Sequence, residues 1–469
     1  MTDYAFAMHR LAFAALLSLA ASASAQPLAI TGVTVIDVGG GPARADTTVL
    51  IEGERIVAVG REAPPGATMV RAHGKYLIPG LWDMHVHWRD EAYLPLFIAN
   101  GVTGARVMWG QPPHLEWRKR IEAGALVGPR LVLAGTIIDG ARPTWPGSVT
   151  AATPEEGRDA VRRTKAEGYD FVKVYSSLPP AAFFSMAHEA KKQGMRFAGH
   201  VPDRVRAAEA ADAGQHSMEH LQGLLLATSA VEEELRPEYA ALARLPRGAQ
   251  RSALTRAAGM RTLETYDERK AARLFENLKA NGTWQVPTLT VLHSIAFLHE
   301  LNEAGDARLR YMPPWVRTAW KPQNDFRFRD NSAEDFELGK RSFERRLRLV
   351  GEMNRAGVGI LAGSDVLNPY CFPGFSLHDE LEWLVKAGLS PMTALQAATR
   401  NPAAYLEREK DLGSIEAGKL ADLVLLEADP LADIRNTRRI AAVVYRGKLL
   451  DRAALDRMLA EVERLAAAN

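Results

Sequence analysis

Two histidines one residue apart, His85 and His87, have types and spacing that could do chemistry. They end the segment Leu-Trp-Asp-Met-His-Val-His at residues 81–87, which follows an Ile-Pro-Gly turn. In a strand, alternation of side chains sends both imidazoles to the same face. Neutral imidazole is the commonest metal ligand in proteins, so this pair predicts half of a zinc-type site. The alternative is a coincidental pair of histidines satisfied by hydrogen bonds.

Four further polar residues stand at the ends of strand-like apolar blocks. Lys173 lies within Phe-Val-Lys-Val-Tyr, His200 follows Ala-Gly, His220 follows Met-Glu and Asp365 follows Gly-Ser. Each has an ordinary alternative, because the aspartate could cap a helix, a single histidine is more often hydrogen-bonded in a core, and the lysine could lie on the surface. Together with the first pair, these residues are better explained by one metal site than by separate coincidences.

The elements that would position these residues alternate between strand-like and helix-like blocks through the middle of the chain. This alternation predicts a parallel sheet covered by helices, and eight strands close a (β/α)8 barrel. Barrel enzymes carry their chemistry at the carboxyl ends of the strands, where the candidate residues stand. The eight candidate strands are residues 82–87, 103–108, 130–136, 171–175, 196–201, 215–220, 284–289 and 358–364.

Both ends of the chain carry short, alternating β patterns that are rich in Val and Ile. Neither end is long enough to bury a sheet face by itself, so we expect the two to pair into one small β-sandwich domain. The final segment has helical spacing and predicts a terminal amphipathic helix. The expected divisions are 1–25 for a signal peptide, 26–76 and 412–469 for the two parts of the β domain with its terminal helix, and 77–411 for the barrel.

Two connections within the barrel are long. Residues 231–278 and 296–355 are charged and largely helical in pattern. Insertions of this length commonly form a lid or a wall of the substrate pocket, and solvated helices alone are the alternative. The loop at 137–149, with Arg142 and Trp145, is expected to shape the pocket as well.

Composition narrows the function classes. The chain has 469 residues, of which 47% are hydrophobic and 24% charged, and this allows a large core. The net charge is +2, with basic and acidic residues interspersed, which gives no support for a nucleic acid or an anionic membrane as partner. The single cysteine, Cys371, rules out a disulfide within this sequence and is expected to pack rather than to act as a nucleophile.

Residues 1–25 have the pattern of a secretion signal. A positive start at His9 and Arg10 precedes an apolar core that is too short to span a bilayer, and a small-residue cleavage site ends at Ala25. We expect cleavage after Ala25 and a periplasmic or secreted protein with no membrane attachment thereafter. An uncleaved N-terminal anchor is the alternative. A large exported chain without disulfides fits a bacterial periplasm.

A string of short motifs extends over nearly the whole chain after residue 25. They are Ile-Pro-Gly-Leu at 78–81, Asp-x-His-x-His at 83–87, Gly-Val-Thr at 101–103, Gly-Pro-Arg at 128–130, Ala-Gly-Leu-Ser-Pro at 387–391, Asn-Pro-Ala at 401–403 and Gly-Ser-Ile-Glu-x-Gly-Lys at 413–419. This string resembles the amidohydrolase superfamily, most closely its imidazolonepropionase-like and prolidase-like (Xaa-Pro dipeptidase-like) branch. The resemblance implies a (β/α)8 TIM barrel plus a β-sandwich built from both chain ends, in agreement with the patterns above.

The resemblance also implies how the ligands divide between two divalent ions. One ion would be held by His85, His87 and Asp365, and the second by His200 and His220. Because the donors are a mixture of nitrogen and oxygen atoms, zinc is the expected metal.

Lys173 matches the lysine that carries a carbamate in the two-metal members of the superfamily. An ammonium group would repel the cations, whereas an N-carboxylate supplies two anionic oxygens that can bridge them. Burial near positive charge favours the neutral amine that reaction with CO2 requires. If Lys173 stays unmodified, the site would be mononuclear.

The implied chemistry is hydrolysis. Two ions about 3.5 to 4 Å apart bridge a water, lower its pKa and polarise the substrate carbonyl, and Asp365 would accept the proton and pass it to the leaving amine. Tyr175, two residues after Lys173, and His378, in the loop after the eighth strand, are candidates for stabilising the oxyanion or gripping the substrate. A structural role is the alternative for each.

The sequence therefore predicts a binuclear metal-dependent amidohydrolase that cleaves a C–N bond of a small substrate, with dipeptides or N-acyl amino acids as the leading class. Lactones, cyclic amides and phosphotriesters are alternative substrates for the same site. The non-enzymatic alternative is an inactive periplasmic protein that binds a metal or a ligand, and the intact ligand positions count against it. A homo-oligomer is left open.

Overall fold

The structure is a computed structural model that describes residues 26–60, 62–246, 248–301 and 305–468. The expected signal peptide at residues 1–25 lies outside the described residues. Among the helices that are described, none combines the length and apolarity needed to span a bilayer.

The strands form two assemblies, a sheet contributed by both ends of the chain and a barrel between them. Their bounds are β1 (Leu28–Val35), β2 (Arg44–Glu52), β3 (Arg55–Val59), β4 (Thr68–Arg71), β5 (Tyr76–Pro79), β6 (Leu81–Val86), β7 (Val102–Val107), β8 (Arg130–Leu133), β9 (Ile138–Asp139), β10 (Val149–Thr150), β11 (Phe171–Val174), β12 (Arg196–Gly199), β13 (Ser217–Glu219), β14 (Trp284–Val286), β15 (Leu423–Leu426), β16 (Ile440–Tyr445) and β17 (Lys448–Asp451).

The two chain ends pair as the alternating patterns predict. They build one eight-stranded mixed sheet in the order β17-β16-β15-β5-β1-β2-β3, with β4 beside β1. The ends meet where β5 and β15 run antiparallel, with Ile78 opposite Val424. Apolar side chains from both ends, including Ile30, Val49 and Leu423, share one buried core. Neither end therefore forms a core of its own.

The barrel wall consists of parallel strands, as predicted. β6, β7 and β8 are neighbours, and β11 to β14 continue the wall beyond a bridge between Ala134 and Phe171. Seven of the eight predicted strands are present, the first two at the predicted length but shifted by one residue and the other five in shorter form. The sixth, for example, is limited to Ser217–Glu219, which leaves His220 just beyond its end.

The predicted eighth strand, residues 358–364, is an extended segment and not a regular strand. It closes the barrel through isolated bridges, from Gln285 to Ile360 on one side and from Val86 to Val366 on the other. The ladder is interrupted because the Ala362 amide donates to the carbonyl of Ala397, outside the wall. The segment still delivers Asp365 to the same end of the barrel as the other candidate residues.

Helices cover the barrel and fill its long connections. Their bounds are α1 (Leu94–Ala99), α2 (Pro112–Glu122), α3 (Pro154–Ala166), α4 (Pro180–Gln193), α5 (Ala207–Asp212), α6 (Leu224–Ala227), α7 (Glu232–Leu242), α8 (Ala249–Glu264), α9 (Glu268–Ala280), α10 (Leu289–Ala296), α11 (Pro314–Ala319), α12 (Ala333–Ala356), α13 (Phe375–Lys386), α14 (Pro391–Ala397), α15 (Arg400–Tyr405) and α16 (Arg452–Ala468). Short 3₁₀ turns occupy Glu91–Tyr93, Ala307–Tyr311, Pro322–Asn324 and Ile434–Arg438.

The two insertions are helical, as their patterns predict. Residues 231–278 form α7, α8 and most of α9, and residues 296–355 contain α11 and most of α12. The terminal helix α16 is also present. It buries Leu455 and Val462 and packs against α1, so it covers the barrel as well as ending the β domain.

Candidate metal centre

Three side chains converge at the carboxyl ends of the first strand and the eighth segment. The Nε2 atoms of His85 and His87 lie 3.2 Å apart, and the Asp365 Oδ1 atom lies 3.4 Å from the first and 3.2 Å from the second. Each residue thus offers one ligand atom toward a common point. The structure places these predicted ligands together in the arrangement that a divalent cation requires.

The protonation of His85 is fixed by its other nitrogen. Nδ1 lies 2.6 Å from a carboxylate oxygen of Glu219, which can only accept a hydrogen bond when ionised, so Nδ1 is the donor. Nε2 therefore carries the lone pair, and that lone pair faces the oxygen of Asp365. Two facing acceptors repel each other unless a proton or a cation lies between them, so this cluster fits a bound metal ion.

The buried carboxylate behind His85 belongs to a network that fills the barrel interior. The Arg106 guanidinium donates to both oxygens of Glu219 at 3.0 Å, and also to the Ser217 and Tyr405 hydroxyls at 2.9 and 2.6 Å. The Ser217 hydroxyl donates to Glu219 at 2.5 Å. We call Arg106, Glu219, Ser217 and Tyr405 the polar network. The network is buried, and the charges of Arg106 and Glu219 compensate each other.

His200 and His220 join the same cluster from the fifth and sixth strands. Their rings lie 4.9 Å apart between centroids, and the ring of His220 lies 4.5 Å from that of His85. The Nδ1 atom of His200 lies 2.8 Å from the Ser176 hydroxyl, and Nδ1 of His220 lies 2.7 Å from the Thr288 hydroxyl. Both rings therefore engage Nδ1 in the protein and leave Nε2 as the nitrogen available to a ligand.

The tautomer of His220 follows from the bonds of Thr288. The Thr288 hydroxyl donates to the carbonyl of Pro287 at 2.8 Å, so its oxygen accepts from Nδ1–H of His220. Burial lowers the pKa of His220 to about 4, and it lowers the pKa of His85 and His200 well below the ordinary histidine value. The rings are therefore neutral, which is the form that binds metals.

Lys173 is buried beside these histidines, as the sequence predicts. Its ammonium nitrogen has no hydrogen-bond partner among the described residues. Burial lowers the pKa of Lys173 to about 8, against the opposing effects of Glu219 and Asp365. Keeping a buried amine charged without a hydrogen-bond partner costs free energy. With a pKa of about 8, a large fraction of the Lys173 side chains are neutral near pH 8.

Asp365 is ionised in spite of its burial. Burial alone would raise the pKa of its carboxyl group, but the nearby His220, His87 and Lys173 lower it below the ordinary value. The group therefore offers a carboxylate to a cation or to a proton near neutral pH.

Three of the residues at this end have a left-handed backbone. The φ angles are 60° at His220, 48° at Thr288 and 57° at Asp365, and none of these residues is glycine. Such conformations cost of order 1 kcal/mol each and occur where the surrounding structure enforces them. They turn the chain sharply where the sixth and seventh strands and the eighth segment end, which aims the side chains across the mouth of the barrel.

Two buried carboxyl groups brace these turns. Asp83 accepts hydrogen bonds from the Ser364 amide at 2.9 Å and the Ser364 hydroxyl at 2.5 Å, so it ties the first strand to the eighth segment. Glu380 accepts from the amides of Leu289 and Thr290, at 2.9 and 2.8 Å, and so fixes the start of α10 just after Thr288.

The residues that hold the metal-site side chains in place are not predicted from the sequence, although the sequence contains a signal for some of them. Glu219 directly precedes His220, and Asp83 belongs to the Asp-x-His-x-His motif, so a charged residue in a buried strand marks both. Arg106 carries the same mark on the second strand. Ser176, Thr288 and Glu380 have no comparable signal, because their contacts depend on loops and a helix distant in sequence.

The two second-tier candidates have different positions. Tyr175 lies at the metal centre, where its ring stacks on that of His200 at 3.9 Å. His378 does not. Its ring is buried in α13, with Nδ1 2.9 Å from the Thr437 hydroxyl and Nε2 3.0 Å from the carbonyl of Asn100. The expectation that His378 binds substrate is therefore wrong, because both of its nitrogens bond within the protein, outside the cavity.

Cys371 is fully buried, as expected for a packing residue, and burial raises the pKa of its thiol well above the ordinary value.

A cavity of about 750 Å³ opens above the metal centre. His87, Lys173, His200, His220 and Asp365 line its floor. Its walls include Trp145 from the predicted loop, Trp109 from the segment after β7, and Trp315, Trp320 and Phe326 from the second insertion. The first insertion supplies none of the described lining residues. Trp145 faces the cavity and Arg142 of the same loop is not among its lining residues.

The fold and this site together define a class of (β/α)8-barrel enzymes that bind metal at the carboxyl ends of their strands. Residues 76–450 match the model of the Amidohydrolase family. The chain belongs to this family.

Solved structures share the whole fold. Bottromycin amidohydrolase superposes with a TM-score of 0.76 at 24% identity, over 94% of this chain and 90% of that one. A putative prolidase from Bifidobacterium longum superposes with a TM-score of 0.67 at 22% identity, over 94% and 99%. At these identities the likeness establishes the fold alone.

Curated relatives match over different lengths. Ochratoxinase of Aspergillus niger is 23% identical over 475 residues, which cover 87% of this chain and 82% of the relative. Imidazolonepropionase of Symbiobacterium thermophilum is 36% identical over 102 residues, 21% of this chain and 24% of the relative. The first curated relatives are matched over only about an eighth to a quarter of their length.

Proposed function

We propose that this protein hydrolyses the amide bond of a small substrate, either a dipeptide or an N-acyl amino acid, at a binuclear metal centre. One observation carries the proposal. The acceptor atoms of His85, His87 and Asp365 converge within 3.4 Å of one another, and the unpartnered amine of Lys173 is buried beside them in the same cavity. The names of the structural neighbours, a prolidase and an amidohydrolase, also support this substrate class.

The residues divide as the family resemblance implies. His85, His87 and Asp365 would hold one ion, His200 and His220 would hold a second, and a carbamate on Lys173 would bridge them. Divalent ions bound there would supply Lewis acidity, which polarises a carbonyl and makes water nucleophilic near neutral pH. Zinc is the metal that this mixture of nitrogen and oxygen donors favours.

The protein's own groups then handle the protons. Asp365 is ionised near neutral pH, and its Oδ1 atom lies 3.2 Å from Nε2 of His87 while its Oδ2 atom lies 3.8 Å from Nδ1 of His220. It is placed to take the proton of the attacking water and to deliver it to the leaving nitrogen. His85 and His220 do not compete for that proton, because burial keeps their pKa values below the ordinary histidine value.

The first test combines metal analysis with hydrolysis. The purified protein is analysed for metal content and assayed on a library of dipeptides, including Xaa-Pro members, and N-acyl amino acids. We expect about two zinc ions per chain and cleavage that chelators abolish. One ion per chain would contradict the Lys173 bridge. Two ions without amide cleavage would contradict the substrate class and move the assignment to lactones, cyclic amides or phosphotriesters.

We further propose that the protein acts in the periplasm after removal of residues 1–25, on the strength of the signal-like sequence. Cell fractionation with N-terminal sequencing tests this. A periplasmic protein that begins at Gln26 is the expected result, and a cytoplasmic protein with an intact N-terminus would contradict it.

A further inference from the structure

One side of the cavity is a continuous surface of aromatic rings. Trp145 lies next to Trp109, with ring centroids 6.3 Å apart, and next to Phe326, with centroids 5.4 Å apart in an edge-on arrangement. Its indole N–H donates to the Tyr175 hydroxyl at 2.8 Å. We call Tyr175, Trp145, Trp109 and Phe326 the aromatic wall. All four line the cavity.

The aromatic wall is held in place by the protein itself. The Arg327 guanidinium lies over the ring of Trp145, 5.2 Å from its centroid. Arg327 is fixed in turn by a two-pronged ion pair with Asp325 and by a hydrogen bond of 2.8 Å to Asn368. A surface that is ordered before the ligand arrives loses little conformational entropy on binding.

The aromatic wall begins at the metal centre. The Tyr175 ring stacks on the ring of His200 with 29° between their planes. In an N-acyl amino acid the acyl group is attached directly to the carbon that water attacks, whereas the amino-acid side chain is separated from that carbon by the nitrogen and Cα. An aromatic acyl group bound at the metal centre would therefore lie beside Tyr175, at the start of the aromatic wall.

We propose that this enzyme takes N-acyl amino acids whose acyl group is a flat aromatic ring system, and that Trp145 determines this preference. The inference rests on the proposed function and names its substrate class. In the reaction, the oxygen of water bonds to the carbonyl carbon, the C–N bond breaks, and a proton passes to the nitrogen, so the products are an aromatic carboxylate and an amino acid. Aromatic rings gain from edge-on and offset contacts with one another beyond the area they bury, and a saturated ring lacks this gain.

Binding is measured with sulfonamides, which carry the same ring system and amino acid as the substrates, have a tetrahedral sulfonyl group in place of the planar carbonyl, and resist hydrolysis. Naphthalene-2-sulfonylglycine supplies the flat ring system, and the decahydronaphthalene analogue supplies a similar volume without aromatic character. Titration calorimetry on the purified metal-loaded protein gives both dissociation constants. We expect the naphthalene probe to bind about tenfold more tightly. Equal binding of the two probes would overturn the proposal.

Variants assign the preference to Trp145. Trp145→Leu should remove the tenfold preference for the naphthalene probe, and Trp145→Phe should keep most of it. Trp383→Leu is the matched control, because Trp383 is a half-buried tryptophan of α13 that does not line the cavity. The control should bind both probes like the wild type. If Trp145→Leu keeps the full preference, Trp145 is not the determinant and the proposal falls.

Hydrolysis of 2-naphthoylglycine and N-acetylglycine separates this inference from the proposed function. Turnover of both at equal kcat/KM would leave the hydrolase intact and overturn the aromatic preference. Naphthalene binding that depends on Trp145, without turnover of any amide, would establish the aromatic site and overturn the hydrolase. Faster turnover of the naphthoyl substrate, with the advantage lost in Trp145→Leu, is the expected result.

Discussion

The mouth of the barrel and the polar network both contain buried charged and polar residues. They differ in whether the polar atoms of these residues have hydrogen-bond partners. In the polar network, the Arg106 guanidinium donates to five acceptor atoms of four residues, and two of these atoms are the carboxylate oxygens of Glu219. At the mouth, the Lys173 amine, Nδ1 of His87 and Oδ1 of Asp365 are buried without a hydrogen-bond partner among the described residues. Buried polar atoms are normally paired, so a satisfied network indicates structure and an unsatisfied cluster indicates a ligand.

The largest expected effect separates catalysis from folding. Asp365→Asn preserves the shape of the side chain but removes its charge and its ability to accept a proton, so we expect kcat/KM to fall by about 10³-fold. The thermal midpoint should stay near that of the wild type, because the amide keeps the volume of the carboxylate and Glu219 still offsets the charge of Lys173. A fall in stability that matched the fall in activity would show that Asp365 has a structural role, and it would contradict the distinction between the mouth of the barrel and the polar network.

A substitution in the polar network should instead lower the stability of the fold. Arg106→Met would leave Glu219 buried without its cation, and breaking a buried ion pair in this way costs about 3 to 5 kcal/mol. We expect that loss in the free energy of unfolding, measured with urea. The double variant Arg106→Met with Glu219→Gln should recover part of the stability, since neither charge then remains. Equal stabilities for the single and double variants would contradict the pairing.

A third substitution tests whether the Thr288 hydroxyl orients the metal-binding ring of His220. Thr288→Val removes the hydroxyl that accepts from Nδ1–H of His220, whereas Thr288→Ser keeps it. Loss of such an orienting partner weakens metal binding by about 10- to 100-fold. We expect this weakening for valine in competition with a chelator, and near wild-type metal affinity for serine. The same affinity in both variants would show that the ring of His220 needs no orienting hydroxyl.

The smallest effect concerns a histidine outside the mouth. His378 is satisfied at both nitrogens, and burial lowers its pKa to about 4, from an ordinary value of 6.5. The unfolded chain therefore takes up this proton near pH 6.5 and the folded protein only near pH 4. The stability that neutral His378 provides is complete above pH 6.5 and is lost as the pH falls toward 4, by up to about 3 kcal/mol.

His378→Gln should lose part of this acid sensitivity and keep kcat/KM within about twofold. Urea unfolding at pH 7 and pH 4.5 and hydrolysis assays at pH 7 measure both quantities. A large loss of activity with unchanged stability would return His378 to the catalytic site.

Much of the site could be predicted because a closed barrel brings the ends of its strands together. Once His85, Lys173, His200 and Asp365 are assigned to strand ends, the topology alone places them at one mouth. The position of His378 could not be predicted in the same way. It stands in the first turn of α13, and the rotation of that helix about its axis turns the ring toward Thr437 and Asn100.

The partners of the second histidine nitrogens could be predicted only in part, because Glu219 stands out as a charged residue in a buried strand, whereas Ser176 and Thr288 have no comparable signal. Thr288, and His220 directly after Glu219, end their strands in left-handed backbone that non-glycine residues seldom adopt, and Ser176 lies in the loop after β11. The eighth segment was placed correctly but named a strand, since nothing in its sequence shows that the Ala362 amide bonds to Ala397.

The pairing of β5 with β15 has a consequence for the order of folding. Pro79 lies opposite Leu423, so the entire barrel separates two neighbouring strands of the sheet. Contacts between such distant segments form slowly, and a nascent chain emerges with β5 before β15 exists. Until β15 arrives, β5 presents an open, apolar edge that other chains can join. Truncation before residue 423 would make that state permanent, and the product should aggregate even though every metal ligand is present.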